Sequence, residues 1–255
     1  MIDIEDILAK MNPNQKINYD RVMQQMVKQW QKADVRPKVL MHVCCAPCST
    51  YTLEYLTQYC DVTIYFANSN IHPKIEYERR EYVTQKFVSD FNEKTGNSVA
   101  FMSAPYNASE YRKLVHGLEN EPEGGDRCSV CFDYRLDKTA AQAVEWGFDY
   151  FGSALTISPH KNAQVINSIG IEVQKLYATQ YLPSDLKKNQ GYRRSVEMSD
   201  EYDIYRQCYC GCVFAANDQG IDLQAVKQEA QAFMANKDGY EEFSHVIFKY
   251  DGQEV

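Results

Sequence analysis

The chain reads as an α/β protein: a mostly parallel sheet flanked by helices, with helical extensions at both ends. Three observations predict this. Short β-rich apolar runs alternate with longer stretches whose apolar residues recur at helical spacing. Most of these runs end in a polar turn leading into the next helix. A length of 255 residues suits one large domain, or one domain with appendages, able to bury a substantial core.

The first periodic stretch carries Tyr19, Val22, Met23, Met26, Val27 and Trp30 on one face, with Asn18 placed to cap it and Arg36-Pro37 to end it. It predicts a packed helix with no chemistry of its own. The run Lys38-Val39-Leu40-Met41 is the first strand, and His42-Val43-Cys44-Cys45-Ala46-Pro47-Cys48 turns it into a helix over 49–56. A second strand, 61–67, exits into Asn68-Ser69-Asn70-Ile71-His72-Pro73. A helix over 75–91 then presents Tyr82, Phe87, Val88 and Phe91 and closes near Gly96. Residues 99–102 form a third short strand, 107–118 a helix, and 119–127 an acidic glycine-bearing loop. Cys128-Ser129-Val130-Cys131 opens the next helix, which runs through Leu136, Ala140 and Val144 to Gly147. The fourth strand is 150–155. Its polar exit contains His160-Lys161-Asn162, a helix follows over 163–177, and Tyr181-Leu182-Pro183 adds a short last strand. Residues 184–194 read as a loop. In the tail, Leu223, Val226, Ala230 and Phe233 mark one amphipathic segment, and 250–255 are expected to fray. The expected division is an N-terminal helical extension (1–37), an α/β domain carrying the chemistry (38–214), and a helical tail packed on it (215–255).

A net charge of −8 argues against coating nucleic acid through bulk electrostatics, leaving only a local basic patch for that role. The start, Met1-Ile2-Asp3-Ile4-Glu5-Asp6, lacks the basic-then-apolar pattern of a signal peptide, and no apolar run approaches a bilayer span. The expectation is a cytoplasmic protein with no membrane partner. In a reducing compartment, clustered thiols are metal ligands or redox catalysts more often than structural disulfides. The nine cysteines do cluster: Cys44, Cys45 and Cys48; Cys128 and Cys131; Cys208, Cys210 and Cys212; with Cys60 alone and best read as core.

The first group sits where a strand hands over to a helix. Backbone N–H groups and the positive end of the helix dipole converge there and favour thiolate. Cys128-x-x-Cys131 can turn two sulfurs onto one metal or cluster edge, and with Cys44-Cys45 it completes the four thiolates usual for zinc or an iron–sulfur cluster. Cys210-Gly211-Cys212 is closely enough spaced for a strained, easily broken disulfide, or for ligation of a second ion alongside Cys48. Thiols beyond one set of four tilt the reading from structural zinc toward redox chemistry. The stretch containing Lys187, Lys188, Tyr192, Arg193 and Arg194 combines cations with a central tyrosine, which suits phosphate contact and base stacking or simply a solvated loop.

These residues together resemble the QueH family of epoxyqueuosine reductases. The matching pieces are His42-Val43-Cys44-Cys45-Ala46-Pro47; Asn70-Ile71-His72-Pro73 with Glu76-Tyr77 and Arg79-Arg80; Glu121-Pro122-Glu123-Gly124-Gly125 with Arg127-Cys128 and Cys131-Phe132; Leu155-Thr156-Ile157-Ser158-Pro159-His160-Lys161; Gly191-Tyr192 with Arg194-Ser195; and Tyr205-Arg206-Gln207 with Tyr209-Cys210-Gly211-Cys212. They run in order over about 38–214. The resemblance implies a Rossmann-like (HUP-like) fold and the last step of queuosine formation in tRNA, reduction of the epoxide to the cyclopentene without cobalamin. It implies a [4Fe-4S] cluster on Cys44, Cys45, Cys128 and Cys131, a redox-active Cys210/Cys212 pair, and an electron donor that the residues do not identify. A variant assignment adds a mononuclear ion, iron or zinc. There one of Cys44 or Cys45 joins Cys48 and one of Cys210/Cys212 on the ion, while the other pair member completes the cluster. The resemblance further implies that the 187–194 stretch and His160/Lys161 position the tRNA anticodon arm. Cys208 lies outside the shared motif.

Two rivals remain. An ATP-dependent tRNA-modifying enzyme of similar layout would carry a Ser-Gly-Gly-x-Asp-Ser loop after the first strand, where this chain has Cys44-Cys45-Ala46-Pro47-Cys48. A zinc-stabilised RNA-binding protein would hold no iron.

Overall fold

The computed structural model describes residues 4–9, 16–237 and 248–249. Six parallel strands lie in the order β5-β4-β1-β2-β3-β6: β1 Lys38–His42, β2 Asp61–Phe66, β3 Ala100–Ser103, β4 Tyr150–Ser153, β5 Gln180–Leu182 and the two-residue β6 Phe248–Lys249. The helices are α1 Ile4–Leu8, α2 Tyr19–Lys32, α3 Ala46–Leu56, α4 Lys74–Thr95, α5 Ala108–Leu114, α6 Asp126–Glu145, α7 Ala163–Gln174, α8 Gly191–Glu201, α9 Val213–Asp218 and α10 Leu223–Ala235. This is the α/β, Rossmann-like architecture expected.

Strand β1 is central because four of its five residues are buried and can pack helices on both faces. His42 pairs in register with Tyr65 of β2 on one side and Ser153 of β4 on the other. The chain builds β1, β2 and β3 in one direction, then returns to place β4 on the far side of β1. That reversal makes a crevice at the strand C-termini, where ligands bind in open α/β sheets. Helix α6 packs on β1, β4 and α7, and α3 packs on α8 and α4. Asn18 caps α2 by accepting from Arg21 N at 3.2 Å, and the buried Trp30 donates to Tyr150 Oη at 3.2 Å.

Several boundaries differ from the sequence reading. β4 stops at Ser153 because its Oγ accepts from Leu155 N at 3.3 Å and starts a 3-10 turn over Ala154–Ile157. The stretch read as a loop up to residue 194 gives way at Gly191 to α8, so Tyr192, Arg193 and Arg194 are helical. Glycine is needed at that start: a Cβ on Gly191 would stand 2.0 Å from the Leu186 carbonyl oxygen and 2.5 Å from the Tyr51 ring. Helix α9 spans the expected 214/215 boundary. In the tail, α10 packs on α4 through Phe233 and Tyr82, and β6 pairs with Met102 and Ser103. Residues 250–255 lie outside the described residues. No helix among the described residues is long and apolar enough to cross a membrane.

Candidate metal centre

The turn after β1 is braced from below by His42. Its Nδ1 lies 3.2 Å from Ser153 Oγ and its Nε2 3.2 Å from Asn68 Oδ1, so one ring ties the ends of β1, β4 and the loop after β2. Burial pushes His42 down to about 3, leaving a neutral strut. Asn68 in turn donates to the Val43 carbonyl at 2.8 Å. Cys45 is the N-cap residue of α3, and Pro47 in the first turn is compatible with the helix there.

The three thiols of this turn converge. Cys44 Sγ is 3.6 Å from both Cys45 Sγ and Cys48 Sγ, and Cys45 donates to Cys48 at 3.0 Å. Among the described residues they form the one group of three possible metal donors lying within 4.8 Å of one another. Hydrogen bonds from Cys45 and Cys48 hold the Cys44 thiol well below the usual range. Those same bonds push the partners up, Cys45 to about 12 and Cys48 well above its ordinary value. Of the three, Cys44 is therefore the thiol most readily ionised.

A second thiol group faces it. Cys128 and Cys131 occupy the first turn and a half of α6, and Gly124 N donates to Cys128 Sγ at 3.2 Å. Tyr111 Oη lies 3.6 Å from Cys212 Sγ, and the Cys131 and Cys212 thiols both push the buried Tyr111 phenol up, after burial itself. Cys210 instead lines a cavity of about 420 Å³ with Cys44, Cys48, Lys161 and Tyr192. Burial pushes Cys210 up to about 11. Lys161 loses some proton affinity to burial, but the Cys210 and Cys44 thiols outweigh this and leave it raised. Seven cysteines from three parts of the chain therefore lie around one place.

The predicted substrate residues divide. His160, Lys161 and Tyr192 line the cavity, with His160 exposed and Tyr192 37% exposed at its mouth. Lys187, Lys188, Arg193 and Arg194 do not line it. Lys187 pairs with Asp185 at 2.7 Å, and Arg193 with Glu197 at 2.9 Å. Arg194 is clamped by Glu54 at 2.7 Å and Glu201 at 2.6 Å. His72 contributes its backbone N–H, which donates to the Gly211 carbonyl at 2.8 Å. Cys60 is fully buried and donates to the Leu56 carbonyl at 3.3 Å, as a core thiol would. Cys208 is exposed at the cavity.

Sequence reasoning missed two contacts to the thiols. Arg135 Nη2 donates to Cys131 Sγ at 3.0 Å, and Gln207 Nε2 donates to Cys45 Sγ at 3.0 Å. The four-residue spacing on a predicted helix could have flagged Arg135. Gln207 stands in the Tyr205-Arg206-Gln207 piece of the family resemblance, but nothing local identifies its partner, 162 positions away.

The donor set fits a metal centre. Two sulfurs sharing a tetrahedral ion at 2.3 Å stand roughly 3.8 Å apart, and the turn already holds its three at 3.0–3.6 Å. Arg135 donates to Cys131 and its charge reaches Cys44, and that of Lys161 reaches Cys210 and Cys44, where an anionic thiolate-bound metal would need countercharge.

Comparison with known proteins adds an independent line. The family model described as "Epoxyqueuosine reductase QueH" matches residues 39–218. A protein of that name from Streptococcus pyogenes serotype M1 is 72% identical over 255 residues, covering all of both chains. Its namesake from Staphylococcus aureus is 59% identical over 236 residues, 92% of this chain and 98% of its own. The Thermotoga maritima protein of the same name is 34% identical over 180 residues, 69% of this chain and 89% of its own.

Proposed function

The chain belongs to the QueH family of epoxyqueuosine reductases, and from that premise we propose that it reduces epoxyqueuosine in tRNA to queuosine at the cysteine-lined crevice. The observation that carries the reading is the convergence of seven cysteines at the C-terminal end of β1, beside one cavity.

The proposed cofactors are a [4Fe-4S] cluster and one mononuclear iron or zinc ion. Of the two ligand sets that the family resemblance implies, the geometry favours the one divided between cluster and ion. Cys128 feels the charge of both Cys131 and Cys212, and the charge of Arg135 reaches both Cys131 and Cys44. This favours Cys44, Cys128, Cys131 and Cys212 for the cluster, and Cys45, Cys48 and Cys210 for the ion. Cys210 and Cys212 then serve as ligands of neighbouring metals rather than as a closed disulfide. Such a centre supplies single electrons and a Lewis acid.

Loss of the epoxide oxygen as water takes two electrons and two protons. Lys161 Nζ, held cationic between Cys210 and Cys44, stands at the cavity wall where negative charge would develop on the departing oxygen. Tyr192 at the mouth offers a ring for base stacking, and the exposed His160 and Arg206 offer polar contacts to the anticodon arm. Lys187, Lys188, Arg193 and Arg194, outside the cavity, are proposed to meet the rest of that arm. We propose cytoplasmic tRNA as the substrate and a separate protein as electron donor. The proposed organisation keeps 38–214 as the catalytic unit, flanked by 1–37 and 215–255.

Anaerobic purification followed by iron, sulfide and zinc analysis tests the centre. The expected product is a brown protein with cluster iron and sulfide. A colourless protein holding zinc alone would overturn the proposal.

A further inference from the structure

Glu76, Arg79 and Arg80 open helix α4 and form a buried charge group that the reaction as described leaves unused. Glu76 is fully buried, and the side chains of Arg79 and Arg80 are 5% and 1% exposed. Both arginines bind the one carboxylate, Arg79 at 2.6 Å and Arg80 at 2.7 Å. Tyr205 adds a neutral hydroxyl to the group, donating to Glu76 Oε1 at 3.2 Å. Two guanidiniums against one carboxylate leave an excess positive charge inside the protein. Such a charge is costly unless something anionic lies beside it.

The uncommitted end of this group faces the thiol centre. Arg80 Nε is held by Glu76, and its Nη2 donates to the Tyr209 carbonyl at 3.2 Å. Its Nη1 is buried without a hydrogen-bond partner. That atom lies 3.2 Å from where a Cβ on Gly211 would stand, between Cys210 and Cys212. The Arg80 charge also acts on Cys45 across the centre. The cation therefore borders the Cys210–Cys212 loop and reaches Cys45 through its charge, two of the three cysteine segments that the proposed function assigns to metal.

We propose that Arg80 is a positioning residue of the metal centre: clamped by Glu76, it holds the Cys210–Cys212 loop and supplies countercharge to the anionic thiolate-bound metals. The inference rests on the metal-centre reading above. Arg80 touches no substrate; it acts through the ligands, as groups behind metal-binding residues do.

The test compares the full-length wild type with R80Q, R80K and E76Q after anaerobic purification, reading metal per chain, the half-time of release to EDTA, and the midpoint potential. R80Q is expected to release metal on the order of 10-fold faster and to shift the midpoint to more negative values. R80K keeps the charge and is expected to recover most of both. E76Q raises the excess positive charge and is expected to move the midpoint the opposite way. Should R80Q not fold, the sign for E76Q decides: a midpoint at or below wild type overturns the inference. So do equal effects of R80Q and R80K, which would mean packing alone, or wild-type release by both. A wild type holding only zinc contradicts the cluster, yet its release half-times still decide the role of Arg80. A wild type binding neither metal contradicts both.

Discussion

Arg135 binds Cys131 twice, one turn along the same helix: Nη2 donates to Sγ at 3.0 Å and Nε to the Cys131 carbonyl at 3.2 Å. The guanidinium is almost wholly buried and its charge also reaches Cys44, so it bridges the two thiol groups. Arg135→Met should release metal on the order of 10-fold faster than wild type and lower the melting temperature of the loaded protein. Iron analysis over time in chelator checks this; unchanged retention would show that Arg135 only fills space.

Gln207 reaches Cys45 from the segment just before the last thiol group, at 3.0 Å. Gln207→Leu keeps the volume and removes the donor. Fold and melting temperature should hold, while metal affinity or turnover falls roughly 10–100-fold. Wild-type turnover with wild-type metal content would remove Gln207 from the account.

Gly211 has a φ of 104°, and a Cβ there would stand 2.7 Å from Ile71 Cγ1. Gly211→Ala should therefore destabilise the chain by about 1–3 kcal/mol and displace the flanking thiols. Denaturant unfolding measures the loss, and an unchanged midpoint would mean that the loop adapts.

Cys60 lies in the core, its thiol donating to the Leu56 carbonyl and its own carbonyl accepting from Arg36. Cys60→Ser can keep the bond to Leu56. It should leave metal content and tRNA conversion unchanged, at a stability cost below about 1.5 kcal/mol. Loss of metal would place a thiol in the centre that the fold keeps apart.

Five strands of the sheet were legible because each is a short apolar run closed by polar residues, and the crevice because the first such run ends in Cys44-Cys45, whereas β6 falls in a tail read as helical. The thiol groups were legible from their spacing. Which thiols face one another was not, since Cys131 and Cys212 meet at Tyr111 across 81 positions of chain and no local pattern encodes that meeting. Within the basic stretch, the partners of Arg194 were illegible for a related reason. Arg194 looks free in sequence, but α8 carries it onto Glu54 of α3 and Glu201, so its charge is spent within the fold.

The most direct test is mass spectrometry of nucleosides from tRNA carrying epoxyqueuosine, after incubation with anaerobically reconstituted protein and a chemical reductant. The wild type is expected to convert epoxyqueuosine to queuosine, and Cys210→Ser at equal protein concentration is not. Undiminished epoxyqueuosine with the iron-loaded wild type, or full conversion by Cys210→Ser, would contradict the proposed function.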